Sequence, residues 1–296
     1  MKPHYEMMLQ LKLPLASAPK NGSVLERLTL LQNKLHKSHP IINSNGRQWF
    51  ANSVAYFSIF ASDGAKIYKI GREFGEQLSK VRLNLSSKYI PETEKMICIE
   101  FPENLRFHLG NQQYAHHAYV YVSNNDGDKF TNERKETFTK LLNITSYLYD
   151  EKGNPVDNYL NNYLGISFKS DDEPVEEALE RAIKSSTYSF VNREYVNFVV
   201  NALIYIFSGD PDLREQRAPR IPSHPKDARI FLRNHENTSL VDMTLVGFDW
   251  AKPRHYNVDS TIRRGHPRWQ PYGPKRERVK LIWIEPTTIT YNKDKP

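Results

Sequence analysis

The residue types best able to do chemistry crowd near the C-terminus. His255-Tyr256 is followed by Ile262-Arg263-Arg264-Gly265-His266-Pro267-Arg268-Trp269-Gln270-Pro271-Tyr272-Gly273-Pro274. Arg263, Arg264 and Arg268 are planar, permanently charged forks that match phosphate oxygens. Lys275, Arg276 and Lys280 extend that phosphate-binding set just downstream. His266 and His255 are the side chains most easily poised for proton transfer near neutral pH. Tyr272 joins them in the candidate catalytic set, and Trp269 is the candidate ring on which a base stacks. Gly265 and Gly273 supply turn conformations or close backbone approach. Metal-free RNA cleavage needs these types: a base for the 2′-OH, an acid for the leaving oxygen and cations for the charge between them. The same residues also build inert surface loops, so polyanion binding comes ahead of catalysis as a reading.

The charge map points the same way. The 296 residues carry a formal charge of +7, yet residues 1–250 hold 30 basic and 30 acidic side chains. The last 46 residues hold 11 basic and 4 acidic ones, so the whole excess lies there. A basic, aromatic end on a neutral body is the footprint of a polyanion partner.

Other chemistries find little support. There is no P-loop, no glycine triplet after a strand, no Gly-x-Ser-x-Gly and no His-Glu-x-x-His. The carboxylates form no local constellation of the kind a metal-dependent nuclease needs, so no metal or cofactor is expected. His116-His117 is adjacent on an expected strand, where ligands need even spacing. The single Cys98 excludes an intrachain disulfide and reads as a core residue. No stretch approaches the roughly 20 apolar residues that span a bilayer, and the N-terminus has no signal-peptide pattern. The expectation is a cytoplasmic protein without membrane contact.

The elements that must position the cluster are legible in outline. Ser23 and Glu26 have capping-box spacing ahead of a helix over about 24–37. Trp49 to Phe60 is densely apolar, and Ala65 to Lys80 reads as a helix interrupted by Gly71 and Gly75. Strands are expected at 96–101, 118–122 and 142–149, the last before a turn at Glu151-Lys152-Gly153-Asn154. Asp171-Asp172-Glu173-Pro174 opens a helix with an apolar stripe of Val175, Ala178, Leu179, Ala182 and Ile183. A more apolar helix near 192–207 ends at Gly209 and Pro211. A strand at 228–233, a segment at 239–248 and a last strand at Lys280–Glu285 follow.

At Ile262-Arg263-Arg264-Gly265-His266, with Gly273 seven residues beyond and a closing Trp-containing strand, the chain resembles the C-terminal signature of a family from phages and mobile elements that includes type V-A anti-CRISPR proteins. The helix end Tyr205-Ile206-Phe207-Ser208-Gly209-Asp210-Pro211-Asp212 and the Pro-rich connection after it are similar too. The resemblance implies a protein that lowers the amount of the type V-A effector nuclease through loss of its messenger RNA. It implies recognition of the effector's N-terminal nascent chain during translation, with RNA and the ribosome as partners. The family signature carries further histidine and tryptophan where Thr261, Pro267 and Arg268 stand here.

The expected architecture is α+β, with mixed helices and short antiparallel strands. A mostly neutral body (1–214) is the candidate peptide-recognition part. A Pro-rich connection (215–230) leads to a basic Arg/His/Trp module (231–296), the candidate RNA-contacting part. Two activities stay open for that module: a metal-independent ribonuclease, or a non-enzymatic adaptor that binds RNA or ribosome and recruits a host nuclease. A DNA-binding regulator of the mobile element ranks lower, since no helix-turn-helix is evident.

Overall fold

The computed structural model describes residues 19, 21–38, 48–109, 113–124, 130–131, 137–153, 162–185, 192–209, 211–220, 222, 224, 226–227, 230–231, 242–248, 262–263, 266–284 and 287–288. Within them the fold is α+β.

Helix α1 (Val24–Ser38) starts at the expected reciprocal cap. The Ser23 backbone N–H donates to Glu26 Oε2 at 2.7 Å, and the Glu26 N–H donates to Ser23 Oγ at 3.3 Å. Helix α2 (Gln48–Ser62) buries Tyr56, Phe57, Ile59 and Phe60 together, the behaviour of a helix apolar on all sides.

The centre is a seven-stranded sheet. Its members are β1 (Ile67–Ile70), β2 (Ile97–Glu100), β5 (His117–Asn124), β8 (Lys140–Ser146), β10 (Asn162–Phe168), β11 (Leu213–Gln216) and β12 (Met243–Val246), in the order β10-β8-β5-β2-β1-β12-β11. The sheet is mixed: β1 runs parallel to both β2 and β12, and the other pairings are antiparallel. A parallel neighbour needs a crossover, and helix α3 (Arg72–Leu78) lies in the β1–β2 connection. Small ladders flank the sheet: β3 (Phe107–His108), β4 (Tyr114–Ala115) and β9 (Leu148–Tyr149) form one, and β6 (Phe130–Thr131) pairs with β7 (Thr137–Phe138).

Alternation along the strands fills two cores. Ile97, Ile99, Val120 and Val122 face one side, with helices α4 (Val175–Ser185) and α5 (Arg193–Ile206). Cys98, Tyr119 and Tyr121 face the other, with α1 and α2. A sheet covered on both faces reads as continuous apolar runs, and Met96-Ile97-Cys98-Ile99 and Ala118 to Val122 are such runs. Cys98 is fully buried as expected, and burial pushes its thiol well above the ordinary range.

Two expectations are corrected. Ala65 to Lys80 is not one interrupted helix, because Ile67–Ile70 is a central strand and the helix begins only at Arg72. Gly71 marks the junction: a Cβ there would sit 2.8 Å from the Gly247 carbonyl oxygen. In place of a strand at 228–233, residues 226–227 and 230–231 are helical.

Gly247 turns at φ 66°, and an added Cβ would run into the ring of fully buried Phe74. Gly247→Ala is expected to lower unfolding free energy by about 2–4 kcal/mol, from left-handed strain plus overpacking. A urea midpoint unchanged from wild type would contradict this account of the β12–α3 contact.

The basic part and the body share structure. Strand β12 lies between β1 and β11, and Trp269 and Val279 belong to the same buried cluster as α4 and α5. Among the described residues no helix is long and apolar enough to cross a membrane.

Candidate nucleic-acid interface

The basic segment folds as a hairpin. Strand β14 (His266–Tyr272) pairs antiparallel with β15 (Arg278–Ile284) in full register, Arg268 opposite Ile282, Gln270 opposite Lys280 and Tyr272 opposite Arg278. Strand β13 (Ile262–Arg263) pairs with β16 (Thr287–Thr288). Alternation sorts the hairpin: Pro267, Trp269 and Val279 are buried, while Arg268, Arg278 and Lys280 are exposed.

The inner face is anchored by one amide. Asn201 of α5 is fully buried; its Oδ1 accepts the Trp269 indole N–H at 2.9 Å, and its Nδ2 donates to the Val81 carbonyl at 2.9 Å. Trp269, expected to stack on a base, is instead a core ring, 6 % exposed. Tyr272 is also engaged. Lys280 Nζ lies 5.5 Å from its ring centroid, and its hydroxyl fills the space beside Gly209, where a side chain would collide with it.

The hairpin tip is strained and held. Gly273 turns at φ 83°, then Lys275 and Arg276 take φ 54° and 56° within the short helix Pro274–Arg276. Such left-handed conformations at non-glycine residues persist where surrounding contacts enforce them. Here the Tyr89 hydroxyl donates to the Arg276 carbonyl at 2.8 Å. Tyr89 ends a turn whose Ser87 and Ile90 carbonyls both accept from the Lys140 ammonium at 3.0 Å. Burial lowers the pKa of Lys140, opposed in part by the charges of Asp171 and Glu92.

A groove of about 720 Å³ runs past the two partners of the Asn201 amide, Val81 and Trp269. One bank is Lys80, Val81, Arg82 and Asn84; the other is β14 from Pro267 to Pro271. Lys80, Arg82 and Asn84 are exposed while Val81, Leu83 and Leu85 are buried, so the three polar side chains share a side. Arg268 faces them, its Nη2 donating to Gln270 Oε1 at 2.9 Å. Cations from chain positions nearly 190 apart therefore meet across one concavity. Lys80, Arg82 and Asn201 are the functional candidates that sequence reasoning missed. The alternation Lys80-Val81-Arg82-Leu83-Asn84-Leu85 was the available signal for the first two.

The remaining candidates fall as follows. His266 opens β14 with its backbone paired to Ile284, and Arg263 pairs with Thr287. Lys275 and Arg276 are exposed at the tip. His255, Arg264 and Gly265 lie outside the described residues. Among the described residues no group of three or more His, Cys, Asp or Glu could hold a metal ion. His117 is buried among Tyr119, Tyr147 and Tyr149; His116 stands half-buried with its pKa lowered by burial and by Arg106.

No curated protein matches the chain. A crystal structure of AcrVA2 is similar at 12% sequence identity and a TM-score of 0.49, covering 97% of this chain and 92% of that one. The family model described as AcrVA2-like, anti-CRISPR type V subtype A2, matches residues 75–290, from inside α3 to past β16. With the hairpin, the groove and most of the sheet inside that span, this chain belongs to the AcrVA2-like family of type V anti-CRISPR proteins.

Proposed function

We propose that this anti-CRISPR protein lowers expression of a type V-A effector nuclease in the host cytoplasm. It recognises the effector's nascent chain during translation, and its basic hairpin contacts the messenger RNA that is then lost. The observation that carries the RNA contact is the meeting of Arg268 with Lys80 and Arg82 across one groove. Arg278 and Lys280 add charge on the exposed side of the same hairpin, and Lys275 and Arg276 add it at the tip. Family membership supports the anti-CRISPR role.

In the adaptor reading a host nuclease does the cutting, and the Tyr272 hydroxyl, lying beside Gly209, serves packing. The two readings separate in a defined translation system without host nucleases, programmed with effector messenger. Cleavage that His266→Ala slows about 10²–10⁴-fold supports the ribonuclease. An intact message that is lost only when host extract is added supports the adaptor. If about five phosphates of single-stranded RNA are contacted, log affinity should fall with log salt at a slope of roughly −3 to −4. A flat salt response would overturn the RNA contact.

A further inference from the structure

Resting on that RNA contact, we propose that the groove between residues 80–84 and β14 is a binding site for one unpaired RNA strand, with Lys80, Arg82 and Arg268 on its phosphates. Two features of the concavity lead there.

The first is the layout of charge. Lys80 and Arg82 sit two residues apart on one bank, on either side of buried Val81. Two neighbouring cations of this kind can meet neighbouring phosphates of a single strand. Arg268 stands on the opposite bank, so the cations flank a trough rather than crown a ridge. A duplex presents its phosphates on two convex rails and would need the cations on an outward surface. A single strand lies between banks and can be gripped from both.

The second is the floor. Val81, Pro267, Trp269 and Pro271 line it with apolar surface. An unpaired nucleotide has an apolar base face to bury, whereas a duplex has already buried its base faces in its own stack. The volume, about 720 Å³, falls in the range of sites that enclose small-molecule-sized ligands. Trp269 takes part as floor and not as a stacking platform, because its ring is buried to all but 6 %. At the end of the Lys80–Arg82 bank, Asn84 supplies an amide, the group that pairs with base edges.

The test is fluorescence anisotropy with a labelled 12-nucleotide oligouridine, an RNA hairpin duplex of equal charge and a single-stranded DNA of equal length. Wild type is compared with Lys80→Ala/Arg82→Ala and with Arg278→Ala/Lys280→Ala, all four residues being exposed. The expected result is that oligouridine binds wild type more tightly than the duplex does. The groove variant should lose about tenfold for oligouridine, and its salt slope should become shallower by about 1.4. Groove-variant affinity equal to wild type, with the loss appearing only in Arg278→Ala/Lys280→Ala, would overturn the groove and leave the RNA contact standing. A wild type that binds no RNA would overturn both. Tighter binding of duplex, or of the DNA strand, would overturn the assignment to unpaired RNA.

Discussion

Asp63→Ala is expected to lower unfolding free energy by about 3–5 kcal/mol, because it strands a buried guanidinium. Arg27 on α1 and Asp63 just after α2 are 5 % and 9 % exposed, and they meet side by side, Nη1 to Oδ1 at 2.6 Å and Nη2 to Oδ2 at 3.0 Å. The same Oδ2 accepts the Met96 backbone N–H at 2.9 Å, directly ahead of β2. One carboxylate thus joins the outer helical layer to a central strand. Removing it leaves the Arg27 charge and the Met96 N–H without their acceptor in a low-dielectric layer. Removing both charges tells the interaction apart from the desolvation cost. Arg27→Met/Asp63→Leu should recover most of the loss, since apolar replacement of a buried pair is often neutral. Urea unfolding of the three proteins measures this. A single variant within about 1 kcal/mol of wild type would mean that the ion pair does not join α1 and α2 to the sheet.

The second large effect is at Asn201. Asn201→Leu should lower stability by about 2–4 kcal/mol, since the Trp269 indole N–H and the Val81 carbonyl each lose a buried partner. Its functional consequence goes further than its stability cost. Val81 and Trp269 lie on opposite banks of the groove, so this one amide sets how far apart the Lys80–Arg82 bank and Arg268 stand. At a temperature where the variant is fully folded, its affinity for oligouridine should still fall several-fold. Asn201→Asp keeps an acceptor for Trp269 but removes the donor to Val81 and buries a charge. It should be at least as destabilised. A folded Asn201→Leu with wild-type RNA affinity would contradict the amide's role in spacing the banks.

What the sequence made legible was what local chemistry decides. The Ser23–Glu26 cap, the stripe on α4 and the apolar runs of β2 and β5 are each specified by neighbours a few residues away. The helix expected over 65–80 failed because Ile67–Ile70 owes its strand conformation to β2 and β12, about 30 and 175 residues distant. Trp269 was misjudged for a related reason. Its neighbours are basic and turn-forming, which reads as surface, but hairpin alternation turns it inward onto Asn201, 68 residues earlier. Lys80 and Arg82 were passed over because they lie in the charge-neutral body. Only the fold brings them opposite Arg268. The family resemblance was drawn from the Ile262–His266 segment; the family match covers residues 75–290 as a whole.

The central claim is that this protein acts on the effector's message and does so through the basic groove. The most direct measurement is the level of type V-A effector messenger in cells that co-express the effector with wild type or with Lys80→Ala/Arg82→Ala. The account predicts that wild type lowers message and effector protein together, and that the groove variant, folded and equally abundant, leaves both near the level of cells lacking it. Interference blocked by wild type with effector message and protein unchanged would contradict it.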